Sequence, residues 1–373
     1  MSDATANGIL VLGGEVKVPR VGAWRATLDL DTEDSKTVTG AVDIAIGSSV
    51  WSGTSFDVDV YSGRTKVVLV GGKGGLRKPT KPRFYHAMPA RQIVQDLLDE
   101  GGERLAPSSS ITQTFDFWTR SAGTVAEGLE HIVDELGAVW RMLPDGTIWI
   151  GTETWSSSEP KGIVVIAELP DDASILFASD EPTLLPGTTF RGKHVEEVEI
   201  RIEPGSVRTR AWFEKAGGRG GGDALRSHLA SLVRQETHHV DLYAIRSAKV
   251  ASQNGDGSLE ITLDDPSLPG MSKVPIAYGI PGITAEVLAG ARVHVGFEGG
   301  SPAKPYAVVV DGSKLKSITV KASQKIVLDC NDIESQKGGR PLARLGDMVR
   351  VISTPPGTPA VGQIITANKK HRG

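Results

Sequence analysis

The stretch Thr124-Val125-Ala126-Glu127-Gly128-Leu129-Glu130-His131-Ile132-Val133-Asp134-Glu135-Leu136-Gly137, followed by Val139-Trp140-Arg141-Met142 and, across Asp145-Gly146, by Ile148-Trp149-Ile150, reads as a helix running into a hairpin. Val125, Leu129, Ile132, Val133 and Leu136 recur at helical spacing and form one apolar face. Thr124 stands three residues before Glu127, the spacing of a capping box, and Gly137 is the stop. Asp145-Gly146 between two alternating apolar runs is a strong hairpin signal.

Working outward, helical periodicity is scarce. Ile93, Val94, Leu97 and Leu98 make one stripe in Ala90–Leu98, with Gly101-Gly102 as its terminator. A third candidate opens at Asp223, with Leu225, Leu229, Leu232 and Val233 inward. Nearly everything else alternates. Trp24, Ala26, Leu28 and Leu30 share a face, Phe56–Tyr61 alternates, and Val195–Ile202 suits a strand with one wet side. From Tyr243 onward only short strands follow: Ala244–Ala251, Leu259–Leu263, Val274–Tyr278, Arg292–Phe297 and Tyr306–Val310. Five strands in so short a span is the arithmetic of a small barrel, and five is the OB-fold number. Beyond Asp311-Gly312, Ser317–Ala322 and Gln324–Asp329 read as two more strands.

Composition agrees with a turn-rich β protein. The chain has 44 glycines and 21 prolines among 373 residues, a share above the typical ~12%. Net charge is −4, which gives no reason to expect a nucleic-acid-coating protein. The charge is nonetheless polarised: residues 313–373 carry +7 and the preceding 312 carry −11. That basic region has no Phe, Tyr or Trp, so it lacks the stacking side chains of a specific nucleic-acid site. No apolar stretch is long enough for a membrane-spanning segment. Met1–Thr5 lacks the pattern of a signal peptide, so folding in a cytosol is expected.

No chemistry rises above background. Cys330 is the only cysteine, which excludes an internal disulfide and a cysteine-based zinc site, and it reads as a small core residue. His238-His239 would point to opposite faces of a strand and cannot chelate one ion together. The other histidines, His86, His131, His194, His228, His294 and His371, are dispersed, so a metal is conceivable only when shared between chains. No serine sits in a Gly-x-Ser-x-Gly elbow. Glu196-Glu197, Asp171-Asp172 and Asp264-Asp265 read as solvated faces or turns. Ala216–Gly222 reads as a flexible loop and lacks the lysine of a phosphate loop. Gly71–Gly75, followed by Arg77, Lys78, Lys81 and Arg83, reads first as a solvated basic loop and second as a partner-contacting arm. No catalytic residue and no cofactor is expected.

Three stretches together carry a resemblance. Arg91–Leu98, Phe115–Trp118 and Thr124–Arg141, closed by Asp145–Ile148, resemble the middle domain of tailed-phage baseplate hub proteins. Val293–Tyr306 resembles the last hairpin of the OB-fold in phage spikes and type VI secretion spikes. Ile318–Leu328 resembles the start of their trimeric β-stem. Pro341–Asp347 is similar to the Ala-Arg-x-Gly-Asp signature of tip proteins, here Ala343, Arg344, Gly346 and Asp347. There is no lysozyme insert after the OB stretch and no long β-helix, so wall-degrading activity is not implied.

The resemblance implies a mainly β chain with a small α+β part. A first hub β-barrel module would span 1–88 and a middle α+β domain 89–185. Strands of a second hub module would follow over 186–242, with partners near Trp24 and Val58. An OB-fold would occupy 243–312, and a β-stem with a C-terminal tip region 313–373. It further implies a structural, non-enzymatic virion protein, assembled in the host cytoplasm. This would be a homotrimer joining a hexameric tail tube to a three-fold spike, with roles in envelope penetration and DNA delivery. Its partners would be the tail tube protein, baseplate or tip proteins and the tape-measure protein. Ile318, Val320, Ile326 and Leu328 would be buried between copies, since a two-stranded stem cannot bury an apolar face alone. An edge hairpin of a monomer, a wall-degrading hydrolase and a type VI-like spike are the competing readings.

Overall fold

The computed structural model describes residues 4–158, 163–178, 183–214, 240–323, 349–352 and 361–364. The chain falls into two units: residues 1–279 with 285–318, and residues 280–284 with 319–373.

The first unit opens with β1 (Thr5–Ala6), β2 (Ile9–Pro19), β3 (Arg25–Leu30), β4 (Ala41–Ile46), β5 (Ser49–Tyr61) and β6 (Arg64–Gly71). All their pairings are antiparallel, and β1 bonds to both β4 and β2. The order β1-β4-β5-β6-β3-β2 therefore returns on itself as a six-stranded barrel. Trp24, Ala26, Leu28 and Leu30 all point into its core, as their alternation requires. Phe56–Tyr61 is a strand, but Phe56, Val60 and Tyr61 stay about half exposed. The reason is pairing: β4 accompanies β5 only from Ser49 to Thr54.

Next come β7 (Pro79–Thr80), β8 (Arg83–Pro89), α1 (Ala90–Gly101), β9 (Thr114–Arg120), β10 (Gly123–Thr124), α2 (Val125–Glu135), β11 (Val139–Met142) and β12 (Ile148–Gly151). The capping box is present: the Glu127 N–H donates to Thr124 Oγ1, and the Thr124 N–H donates to Glu127 Oε2 at 2.7 Å. Helix α1 ends in Gly102 at φ 82°, which a side-chain-bearing residue rarely adopts. Both helices bury the stripes read from sequence, except that Leu136, just past α2, is half-buried.

Gly71–Gly75 is not a solvated loop. Gly71, Gly72 and Gly75 are buried. The loop folds around the Glu103 carboxylate, only 1% exposed, which accepts from the backbone N–H of Lys73 at 3.1 Å and of Gly75 at 2.7 Å. Its glycines answer close packing: a Cβ on Gly71 would stand 2.6 Å from Trp24 Nε1. The cations that follow are engaged as well. Lys78 Nζ donates to the Gly101 carbonyl at 2.7 Å, at the negative end of α1, and Arg77 stacks on Phe56.

The following strands are β13 (Ser156–Ser157), β14 (Val164–Leu169), β15 (Ser174–Ala178), β16 (Thr188–Phe190), β17 (Lys193–Glu203) and β18 (Ser206–Phe213). Strand β17 pairs with β2, Glu197–Ile202 against Gly14–Pro19, so β2 stands between it and the neighbours expected around Trp24 and Val58. Val195, Val198, Ile200 and Ile202 are buried. The Glu196-Glu197 doublet that interrupts their alternation is a β-bulge, with the register slipping between Val195 and Glu197 against β18.

A separate five-stranded sheet follows, with its own core: β19 (Arg246–Gln253), β20 (Leu259–Leu263), β21 (Met271–Val274), β23 (Arg292–Phe297) and β24 (Pro305–Val309), in the order β21-β20-β19-β23-β24. The strand expected at Val274–Tyr278 ends at Val274 because Pro275 has no N–H to give the ladder. The chain then meets the far end of the sheet through a parallel bridge, Ile276 to Ala307, and closes it. Strand β22 (Ile283–Val287) was not anticipated; it pairs with β25 (Leu315–Val320). In the second unit the described residues include an antiparallel pair, β26 (Val349–Ile352) and β27 (Val361–Ile364).

The helix expected from Asp223, the loop at Ala216–Gly222, His238-His239, Cys330, the strand Gln324–Asp329 and the motif Pro341–Asp347 lie outside the described residues.

Candidate assembly surfaces

The expected trimer contacts are placed in part. Ile318 and Val320 lie on β25 and are 58% and 51% exposed. Neither has a covering partner among the described residues. On the same strand Lys316 Nζ lies 2.8 Å from the Glu286 carboxylate. That bond holds the Glu286 carboxyl below its ordinary range and raises the Lys316 ammonium. Ile326, Leu328, Ala343, Arg344, Gly346 and Asp347 lie outside the described residues.

A second surface was missed in the sequence. The wet face of β2, β17 and β18 carries interleaved charges. Lys17 lies 2.9 Å from Glu15 and 3.6 Å from Glu199, and Arg201 lies 3.2 Å from Glu199. The hydrogen bond to Glu15 is the main cause that raises the Lys17 ammonium. Arg201 stands directly opposite Arg208 in the ladder, an unfavourable like-charge pair. Glu199, Arg201, Arg208 and Arg210 line a groove with Leu169 and Leu176. Arg210 also meets Asp172 at 2.8 Å and stacks on Trp212. The signal was available: Glu199, Arg201 and Glu203 alternate with apolar residues, as do Arg208, Arg210 and Trp212.

A third cluster is half-buried and reads as a joint. Glu153, 8% exposed in its side chain, pairs with Arg141, and Arg20 lies 3.9 Å from it and 2.7 Å from Glu196. The pair sits where hairpin β11–β12 meets the barrel, through the parallel bridge of Gly22 to Arg141. His194 is not a lone histidine: it stacks on Trp155 at 3.9 Å and lies 3.3 Å from Glu214. Nothing in the spacing of Arg20, Arg141 and Glu153 foretold the cluster. Among the described residues, no three His, Cys, Asp or Glu are grouped to hold a metal ion. No described helix is long and apolar enough to cross a membrane.

No protein-family model matches the chain, and no curated protein matches it in sequence. Solved structures do match. The Escherichia coli c3393 protein superposes over 83% of this chain and 100% of its own, with a TM-score of 0.55 at 14% identity. It is described as a component of the type VI secretion system with structural similarity to the T4 bacteriophage tail proteins gp27 and gp5. The chain shares the fold of the c3393 protein. A Neisseria meningitidis tail protein matches over 58% of this chain and 97% of its own (TM-score 0.43, 10% identity). The 43 kDa tail protein of Shewanella oneidensis prophage MuSo2 matches over 57% and 97% (TM-score 0.43, 9% identity). The mainly β architecture expected from the hub resemblance is the one observed.

Proposed function

We propose that this chain is the structural hub of a phage tail or a related injection machine. It assembles as a homotrimer that adapts a hexameric tail tube to a three-fold spike, in the virion tail, and takes part in envelope penetration and DNA delivery. The observation that carries this reading is the match to the c3393 protein over the whole of that chain. The five-stranded sheet supports it further. Its order β21-β20-β19-β23-β24, closed by a parallel bridge, is that of an OB-fold, the module expected between hub and stem. The exposed row of Ile318 and Val320 is the surface we assign to trimer contact, with Ile326 and Leu328 continuing it and Ala343, Arg344, Gly346 and Asp347 as a tip motif. The domain limits given above remain our division of the chain.

Sedimentation velocity with light scattering on the purified chain tests the reading. A mass of three chains is expected at micromolar concentration. A monomer that also clears purified cell walls would favour the hydrolase instead. A trimer that binds a secretion-tube protein rather than a phage tail tube would favour the type VI-like spike.

A further inference from the structure

The solvent face shared by β2, β17, β18 and β15 carries its charges in register. One row across the strands runs Lys17, Glu199, Arg210 and Leu176; the next runs Glu15, Arg201 and Arg208. Sign alternates along and across the strands for all of these charges except the last. Where the pattern calls for a carboxylate, Arg208 stands. It faces Arg201 across the ladder and has Arg210 two residues along its own strand.

The neighbours of Arg208 leave it unsatisfied. Arg201 lies 3.2 Å from Glu199, and Arg210 lies 2.8 Å from Asp172. Arg208 comes only to within 3.9 Å of Glu203, beyond hydrogen-bond reach, and its guanidinium has no hydrogen bond among the described residues. Like charges set opposite one another in a ladder cost stability.

The same juxtaposition occurs once more in this chain, and there it is neutralised. Arg83 stands opposite Arg120 in the β8–β9 ladder, and both reach the Glu100 carboxylate, at 3.2 and 2.7 Å. Arg201 and Arg208 have no such shared carboxylate among the described residues.

We propose that a partner protein supplies it: the groove between β14 and β17 takes an extended acidic segment, one carboxylate of which bridges Arg201 and Arg208 while an apolar neighbour covers Leu169 and Leu176. The proposal concerns the face of the sheet and does not depend on the trimer reading.

Two further observations choose this occupant. The groove is part apolar, since Leu169 and Leu176 line it together with the arginines. A segment that mixes carboxylates with apolar side chains matches both parts. The groove is also not uniformly basic. Glu199 lines it, with Asp172 and Glu203 beside the arginines. A nucleic-acid backbone, negative at every step, would meet those carboxylates and a body whose first 312 residues carry −11. A peptide with spaced carboxylates avoids them, so charge complementarity selects an acidic peptide.

The test is fluorescence anisotropy of a fluorescein-labelled peptide of alternating glutamate and leucine, titrated with the full chain. The comparison probes are the same peptide with glutamine in place of glutamate and a single-stranded oligonucleotide of matched length. Saturable binding of the glutamate peptide is expected, weakening as salt rises. Arg208→Gln should weaken it about tenfold. The Tm of Arg208→Gln should equal or exceed that of the parent, because the change removes a like-charge pair; this separates a lost contact from a lost fold. Arg64→Gln, at an exposed arginine on β6 outside the groove, should leave binding unchanged. Absence of saturable binding overturns the proposal, as does binding that survives Arg208→Gln or equal binding of the glutamine peptide. An equal loss with Arg64→Gln reveals diffuse attraction only and overturns it too. An oligonucleotide that binds more tightly than the peptide, and is released by Arg208→Gln, overturns it in favour of a nucleic-acid groove.

Discussion

The indole Nε1–H of Trp24 donates to the carbonyl of Leu143 at 3.1 Å, tying the core of the barrel to the turn of hairpin β11–β12. The same indole meets Trp51 edge-on, with centroids 5.6 Å apart, and rests on Gly53 and Gly71. One side chain thus fills the barrel and fixes the domain that follows it. Trp24→Phe should cost a hydrogen bond and some volume, and Trp24→Ala about 3–5 kcal/mol. Gly71→Ala should be nearly as harmful as the milder change, about 1–3 kcal/mol, because its methyl meets the indole and Met142. Urea unfolding followed by tryptophan fluorescence reads all three.

Glu103 gives the second prediction. Its carboxylate accepts from the Lys73 and Gly75 N–H groups, and no other side chain does so among the described residues. Glu103→Ala should destabilise by about 1–3 kcal/mol through orphaned donors. Hydrogen exchange should report faster amides at Lys73 and Gly75 before any global unfolding. Unchanged protection at those two positions would show that the loop holds itself.

The third concerns the buried pair. Removing Arg141 leaves Glu153 charged and largely buried, and Arg141→Met should cost about 3 kcal/mol. The double change Arg141→Met with Glu153→Leu should recover most of that loss, since an apolar pair of similar volume carries no desolvation cost. A double-mutant cycle on thermal unfolding measures the coupling. If the double variant is no better than the single one, Arg20 rather than Arg141 is the dominant partner of Glu153.

Acid response is the fourth. The Ser267 hydroxyl and backbone N–H, together with Arg246, hold the Asp265 carboxyl below its ordinary value. A depressed carboxylate contributes stability above its unfolded pKa, about 3.9, and that contribution fades as pH falls through the folded value. Asp265→Asn should therefore be less stable than the parent at pH 7. The gap should shrink steadily below about pH 4. Parallel urea titrations at descending pH check the sign; a gap that widens in acid would contradict it.

The stem gives the fifth. Ile318 and Val320 are exposed in the single chain, so Ile318→Asp with Val320→Asp should leave monomer unfolding within about 0.5 kcal/mol of the parent. Assembly should fail, because each carboxylate would be buried between copies without a partner. Sedimentation that still finds three chains would move the contact away from β25.

Short-range chemistry made part of this protein legible without coordinates. The capping box of Thr124 and Glu127, the terminator at Gly102, the hairpin at Asp145-Gly146 and the alternations of Trp24–Leu30 and Arg292–Phe297 each depend on residues a few positions apart. Physics that acts over such spans is written in the order of the residues. The resemblance to tail hubs rests on those same local elements.

Tertiary structure alone decided the rest. Strand β2 pairs with β1 over its first residues and with β17 over its last, and nothing in Ile9–Pro19 announces the exchange. Gly71–Gly75 looks like any solvated glycine loop until Glu103, some thirty residues on, is folded beneath it. Arg20, Arg141 and Glu153 become a cluster only when three separate elements meet. Val60 and Ile166 look like ordinary strand residues, and their exposure follows from where the neighbouring strands happen to end. Each of these is a choice of partner between distant segments. Alternation and propensity state that a strand wants a neighbour, but the identity of that neighbour is settled by the packing of the whole chain.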